Sequence, residues 1–282
     1  MKKVITFIPL LIFLCISTGC ESIMPQKIEI NELFISSTIA VDKSDENVLV
    51  TVSSKKVKPK ETSDNEGFQN FMAQSANSQG ATIFDAVRKL QSLSRRRMFH
   101  GHVEYILIGE EAAKGDILKY LDFFERDHEM RLNNVVVIVK GGRAEDVIYK
   151  AHTNEEFVSD RLNSLFNNKD SMSISDKVDL VDLMGMFDNK QMAAYIPCIS
   201  LVKESKEDLE GEMEEYNILL NGFAVFKGDK LVGYATDTTA RGANWIRGKV
   251  KSGIIVVKDN DGEKISLEII DSGVDVIPKF NK

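Results

Sequence analysis

The sequence predicts an α+β fold: a mixed sheet flanked by helices in a larger N-terminal domain, followed by a smaller hairpin-rich α+β domain. Three observations carry this expectation. From about residue 80 to residue 166, strand-like and helix-like hydrophobic periods alternate, the pattern of a sheet with helices packed on it. Residues 135–139, Val-Val-Val-Ile-Val, are apolar without alternation, as in a strand buried on both faces. Beyond residue 215 short alternating strands are joined by Lys227-Gly228-Asp229 and by Asp259-Asn260-Asp261-Gly262, both hairpin-turn sequences.

The elements follow in order. Residues 32–42, with Phe34, Ile35, Ile39 and Val41, read as a strand, and 43–47 as a polar turn. Residues 48–57 alternate Val48, Val50 and Val52 against Leu49 and Thr51, and complete a hairpin. Residues 58–79, rich in Ser, Asn, Gln and Lys, read as a long loop. Ile83, Ala86, Val87, Leu90 and Leu93 share one helical face, and Thr82 with Asp85 forms a variant capping box at its start. A strand at 103–108 leads to a helix marked by Ile117, Leu118, Leu121 and Phe124. After the 135–139 strand, Gly141-Gly142 makes the turn into a helix carrying Ala144, Val147, Ile148 and Ala151. Thr153-Asn154-Glu155-Glu156 is a full capping box and predicts a helix over 154–166. A helix at 178–187 and a strand at 193–202 close this domain.

Residues 204–215 are dominated by charge and read as a linker, because such a stretch buries little. A solvated helix inside one domain is the competing reading. The linker divides the chain into a first domain over 20–203 and a second over 216–282. The second holds a hairpin at 218–226 and 230–235, a helix at 239–245, and a hairpin at 253–258 and 264–270. No repeat of domain-building period is visible.

Residues 1–19 stand apart. Lys2 and Lys3, the apolar run 4–16, and Ser17-Thr18-Gly19 form the charged start, apolar middle and small-residue end of an export signal. Cys20 follows at once, which resembles the lipobox of bacterial lipoproteins, although Ser17 stands where a Leu is usual. In that reading the Cys20 thiol takes a diacylglycerol and becomes the new amino terminus, and further acylation gives a stable anchor. A plain export signal followed by an incidental Cys is the alternative. No later segment approaches the length of a membrane-spanning helix. With Cys15 in the leader and Cys20 on lipid, only Cys198 remains, so no internal disulfide framework is expected. The formal net charge of −7 argues against a nucleic-acid binder and against a polybasic membrane-surface binder.

Motifs for chemistry are sparse. There is no G-x-S-x-G, P-loop, H-E-x-x-H or C-x-x-C. His100 and His102 are spaced to share a strand face, a legal metal spacing, but no local carboxylate motif completes a site. Arg95-Arg96-Arg97 reads as charge complementing a helix C-terminus, with an acidic partner or lipid head group as the functional alternative. Gly141-Gly142 could offer N–H groups to a phosphate, yet a tight strand-to-helix turn explains the pair. Arg126, Asp127, Glu129 and Arg131 read as a solvated charge cluster, and Trp245 as the core plug of a small domain. Asp259 to Gly262 matches only the beginning of a calcium loop. No catalytic residue, metal or cofactor is expected, and the ligand-binding residues are unknown.

An ordered set of segments carries a resemblance. They are Gly19-Cys20, Asn31-Glu32-Leu33 with Ile39-Ala40-Val41-Asp42-Lys43, residues 80–88, Gly101-His102-Val103-Glu104, residues 106–110, residues 121–127 with Glu129 and Arg131, and residues 222–233 with Arg241-Gly242 and Trp245. In these the chain resembles the Ger(x)C family, the C-subunit lipoproteins of nutrient germinant receptors in endospore formers. The resemblance implies an α+β lipoprotein, lipid-anchored on the outer face of the inner spore membrane and without enzymatic activity. It also implies partnership with two polytopic membrane subunits, A and B. Glu21-Ser22 stands where the family usually has Trp-Asp. The family also usually extends by roughly a hundred residues as a third domain, which this chain is expected to lack. Direct binding of a small ligand by the lipoprotein itself, or a truncated inactive paralogue, are the rival readings.

Overall fold

The structure is a computed structural model that describes residues 30–54, 75–150, 157–190, 192–205, 214–277 and 279. Of the segment ending at Leu33 it describes one 3-10 turn, Ile30–Glu32. The elements below belong to the body that begins at Phe34, apart from the first residue of its first strand.

In chain order the strands are β1 (Leu33–Ser44), β2 (Asn47–Ser54), β3 (Ser75–Gly80), β4 (Arg97–Phe99), β5 (Tyr105–Gly109), β6 (Val135–Val139), β7 (Ala194–Ser205), β8 (Glu214–Lys227), β9 (Lys230–Ala235), β10 (Gly253–Lys258) and β11 (Lys264–Ile269). The helices are α1 (Ile83–Leu93), α2 (Glu110–Lys114), α3 (Ile117–Arg126), α4 (Ala144–Lys150), α5 (Val158–Asn167), α6 (Leu180–Asp188) and α7 (Asp237–Ile246).

The fold is α+β, with one large mixed sheet flanked by helices and a smaller sheet-rich C-terminal region. Among the described residues the large sheet has nine strands, ordered β3-β2-β1-β5-β6-β7-β8-β9, with β4 also pairing β1. The four middle strands β1, β5, β6 and β7 run parallel. Antiparallel strands flank them on both sides. Parallel strands need cover on both faces, and β6 supplies it: Val136 and Ile138 point into one core, Val137 and Val139 into the other. The first core takes Ile83, Ala86 and Leu90 of α1, Ile117, Leu121 and Phe124 of α3, and Leu180 and Leu183 of α6. The second takes Val147 and Ile148 of α4 with Val158, Leu162 and Phe166 of α5.

Two stretches differ from what the sequence predicts. Residues 58–79 read as loop, but Ser75–Gly80 pairs with β2 from Ser53↔Ser75 to Val48↔Gly80. This strand, Ser-Ala-Asn-Ser-Gln-Gly, lies at the rim of the sheet, where backbone pairing suffices and no apolar alternation is needed. The residues read as a charged linker also differ, because β7 and β8 continue pairing through Lys203↔Tyr216, Glu204↔Glu215 and Ser205↔Glu214. The Lys203 and Glu204 side chains are solvent-exposed, so charge is compatible with a strand there. Residues 216–235 thus add to the large sheet. The capping box at 153–156 lies outside the described residues, and α5 begins at Val158.

The C-terminal region is α7 with the β10–β11 ribbon. Ala240 of α7 packs on Ile174 and Phe223. The ribbon is a separate two-stranded sheet, turned by Asp259, whose Oδ1 accepts the N–H groups of Asp261 (3.0 Å) and Glu263 (2.8 Å).

Candidate functional site

A groove of about 640 Å³ lies between the start of α1 and the flank of α3. Local sequence sets its geometry. Thr82 accepts the Asp85 N–H at 3.2 Å, and Asp85 accepts the Ala81 N–H at 2.9 Å, so α1 begins sharply at Ile83. With that start, Ile83 and Ala86 face the core while Phe84 stands outward, 53% exposed. On α3, Tyr120 and Phe123 lie at the edge of the buried face and form the groove floor with Ile83. The Phe84 and Phe123 rings are 6.2 Å apart, and the Arg88 guanidinium sits 5.1 Å from the Phe84 ring centre. The rim carries Lys119, Asp122, Arg126, Asp127 and His128, with Arg126 paired to Asp122 at 3.1 Å. Asp127 Oδ1 is held by the Glu129 N–H at 2.9 Å. An exposed aromatic beside an apolar floor, with charge at the rim, suits recognition of an apolar segment. Among the described residues no nucleophile paired with a base lines it. Residues 80–88 and 121–127, separate in sequence, meet here.

A second polar arrangement is structural. Asp42 is buried at the end of β1 and its two oxygens accept the N–H groups of Ala144 (2.7 Å) and Glu145 (2.9 Å) at the start of α4. Burial raises its pKa, opposed by those two bonds and by Arg143. Gly109 gives the carboxylate its room, since a Cβ there would lie 2.0 Å from Asp42 Oδ1. Glu110 accepts the Gly141 N–H at 2.6 Å and the Tyr234 hydroxyl at 3.0 Å. Burial, then the Glu110 carboxylate, pushes the Tyr234 pKa well up. Around Gly141-Gly142, the positions a phosphate would take are filled by the chain's own Asp42 and Glu110.

The other residues singled out by sequence fall as follows. His100 is buried, with Nδ1 3.1 Å from Ser36 Oγ and its backbone N–H donated to Glu129. Burial lowers its pKa, against Glu129 and Asp127. His102 is exposed and meets the Phe99 ring at 5.7 Å, so the two imidazoles are not directed at one point. Among the described residues no three His, Cys, Asp or Glu side chains cluster as metal ligands. Arg95, Arg96 and Arg97 are exposed just past the Ser94 cap of α1. Trp245 is half-buried, while its neighbour Asn244 is fully buried and donates to Ser173 O at 2.9 Å. Cys198 is buried, donates to Asn221 O at 2.8 Å, and burial pushes its thiol up to about 12, which keeps it protonated at neutral pH. Cys20 lies outside the described residues.

Sequence reasoning missed a polar recess of about 310 Å³ at the starts of β5 and β6. In it Tyr105 donates to Asn163 Oδ1 (2.8 Å), Asn163 donates to Glu104 (2.6 Å), and Lys177 reaches Asn163 Oδ1 at 3.4 Å. These side chains come from three distant segments, so no local pattern announces them. It missed Arg247 as well, whose guanidinium stacks 4.1 Å from the Tyr195 ring centre and 5.6 Å from that of Phe223.

The chain is similar to known proteins over most of its length. Residues 26–201 match the family model described as the spore germination protein N-terminal domain. Residues 221–282 match that of the spore germination B3/GerAC-like C-terminal domain. Spore germination protein KC of Bacillus subtilis (strain 168) is 23% identical over 211 residues, covering 72% of this chain and 52% of that protein. A second protein of the same strain, YfkR, also carries a spore-germination name and is 26% identical over 238 residues, covering 82% of this chain and 58% of its own length. The chain thus spans about half the length of the curated relatives it matches. Among solved structures, that of the GerBC protein aligns with a TM-score of 0.37 and 15% identity over 82% of this chain and 61% of that one. The two family models, which together cover most of the chain, define the class: a spore germination protein. Within that class the chain belongs to the Ger(x)C family.

Proposed function

We propose that this chain is a non-catalytic, lipid-anchored subunit of a nutrient germinant receptor. Cys20 would hold it on the outer face of the inner spore membrane, and it would work with two polytopic subunits, A and B. The observation that carries the reading is family membership joined to Gly19-Cys20 at the end of an export-type leader. Leu33 follows Cys20 by 13 positions, a reach of at most about 45 Å for an extended chain, so the body stays close to the bilayer. The α1–α3 groove, aromatic and charge-rimmed, is the surface best suited to receive a partner subunit.

The test is Cys20→Ala in the producing cell. The wild-type chain is expected to incorporate labelled palmitate and to sediment with membranes, and the variant to do neither. A variant that stays membrane-bound in high salt would refute the anchor. The polar recess at Glu104, Asn163 and Lys177 favours one second reading, direct binding of a small polar ligand. Thermal shift against amino acids and sugars separates the two, because a ligand that binds only the folded state raises its melting temperature.

A further inference from the structure

The β10–β11 ribbon carries exposed apolar side chains on both of its strands. Its register places Ile255, Val257, Ile265 and Leu267 on one face. Ile265 is 44% exposed and Leu267 51%. A lone two-stranded ribbon of this kind is marginal in water. Its two edges are not equivalent. The outer edge of β10 is tied to the body: Arg241 of α7 donates to Ile254 O at 2.5 Å and to Met172 O at 3.1 Å, and Ser173 Oγ donates to Ser252 O at 2.7 Å. Among the described residues nothing pairs with the outer edge of β11.

The hydrogen-bond parity of that edge follows from the turn. Asp259 N–H donates to Glu263 O at 3.0 Å, so this is a hydrogen-bonded pair. Alternation along the ladder then makes Val257↔Ile265 and Ile255↔Leu267 hydrogen-bonded pairs as well. The backbone groups of Lys264, Ser266 and Glu268 therefore point outward, in agreement with Ile254, opposite Glu268, turning its carbonyl to Arg241.

We propose that β11 is a self-recognition edge: two copies of this chain pair β11 with β11, antiparallel about Ser266, into a four-stranded sheet. In that register Ser266 faces its own counterpart, and Lys264 of each copy faces Glu268 of the other. All of them are residues whose N–H and C=O groups point outward. Ile265 falls opposite Leu267, which extends the apolar face without a break. Opposite charges across such a pair stabilise it, and a two-fold contact of this kind closes on itself. A second copy is the occupant favoured because the strand's sequence complements its own reversal in charge and in shape. This inference does not depend on the receptor reading.

The test uses the full chain in detergent. Across the two-fold axis the Cα atoms of Ser266 would be about 5.5 Å apart, within disulfide range. Ser266→Cys is expected to give a covalent dimer on mild oxidation, well above the background of the unsubstituted chain, whereas Ser272→Cys, past the end of the strand, is not. In sedimentation, the unsubstituted chain is expected to be a dimer. Glu268→Lys, which sets lysine against lysine, is expected to be a monomer, and the double exchange Lys264→Glu with Glu268→Lys a dimer again. An unsubstituted chain that is monomeric at its highest soluble concentration would overturn the proposal. So would equal cross-linking at 266 and 272, or a double exchange that stays monomeric. A monomeric Ser266→Cys variant whose new thiol is shielded from maleimide would assign the edge to another segment or another protein, and would overturn it too.

Discussion

Asp42 and His100 show how single buried polar groups hold distant segments together. The Asp42 carboxylate joins the end of β1 to the start of α4, about a hundred residues later in sequence. Asp42→Ala leaves two N–H groups without an acceptor and is expected to cost about 1–3 kcal/mol or more in urea unfolding, with Asp42→Asn milder because one acceptor remains. Burial raises the Asp42 pKa, so the fold favours the neutral carboxyl, and this contribution is lost as pH rises through the carboxylate range. His100 works in the opposite direction. Burial lowers its pKa, so below the ordinary histidine value the unfolded chain takes up a proton that the folded chain resists. Its contribution is complete at neutral pH and is lost as pH falls through about 6.5 toward the folded value. Unfolding midpoints of the unsubstituted chain and of His100→Asn, followed from neutral to mildly acidic pH, should converge as pH falls. A constant difference would show that His100 keeps the same charge in both states. Neither role was legible in sequence. Asp42 read as a strand end and His100 as half of a histidine pair, because their partners lie far along the chain.

At the level of elements, legibility followed hydrophobic pattern. The run Val135–Val139 announced a strand buried on both sides, and the structure places its side chains alternately in two cores. The Thr82 cap and the Ile83, Ala86, Leu90 spacing fixed α1 closely. Both hairpins after residue 217 were legible from their turns, including the ladder Gly253↔Ile269 to Lys258↔Lys264. Two elements escaped. Ser75–Gly80 is polar because a rim strand borrows its stability from backbone pairing with β2. The charged ends of β7 and β8 looked like a linker because periodicity reports burial, and the described side chains there, Lys203 and Glu204, are open to water. The groove was half legible: residues 80–88 and 121–127 each stood out, but only the packing of α1 near α3 brings Phe84 to Phe123.

At the level of the whole molecule, protection is graded from the middle strands outward. β5 and β6 are paired on both sides and covered on both faces, whereas β10–β11 is a ribbon with exposed side chains. Hydrogen exchange is expected to be slowest for Ile106–Ile108 and Val136–Ile138 and fastest, among strands, for the ribbon. If the ribbon exchanges as slowly as β6 in dilute monomer, its backbone is shielded by something other than a second copy.

The position of β1 has a mechanical consequence. The first strand of the body lies in the sheet interior, gripped by β2 on one side and β5 on the other. A pull on the chain ahead of Leu33 is therefore not applied at a rim, where rungs would open in succession. It loads two ladders lengthwise at the same time, so that many bonds resist together. A protein moored by its leading end would have its strongest region next to the rope.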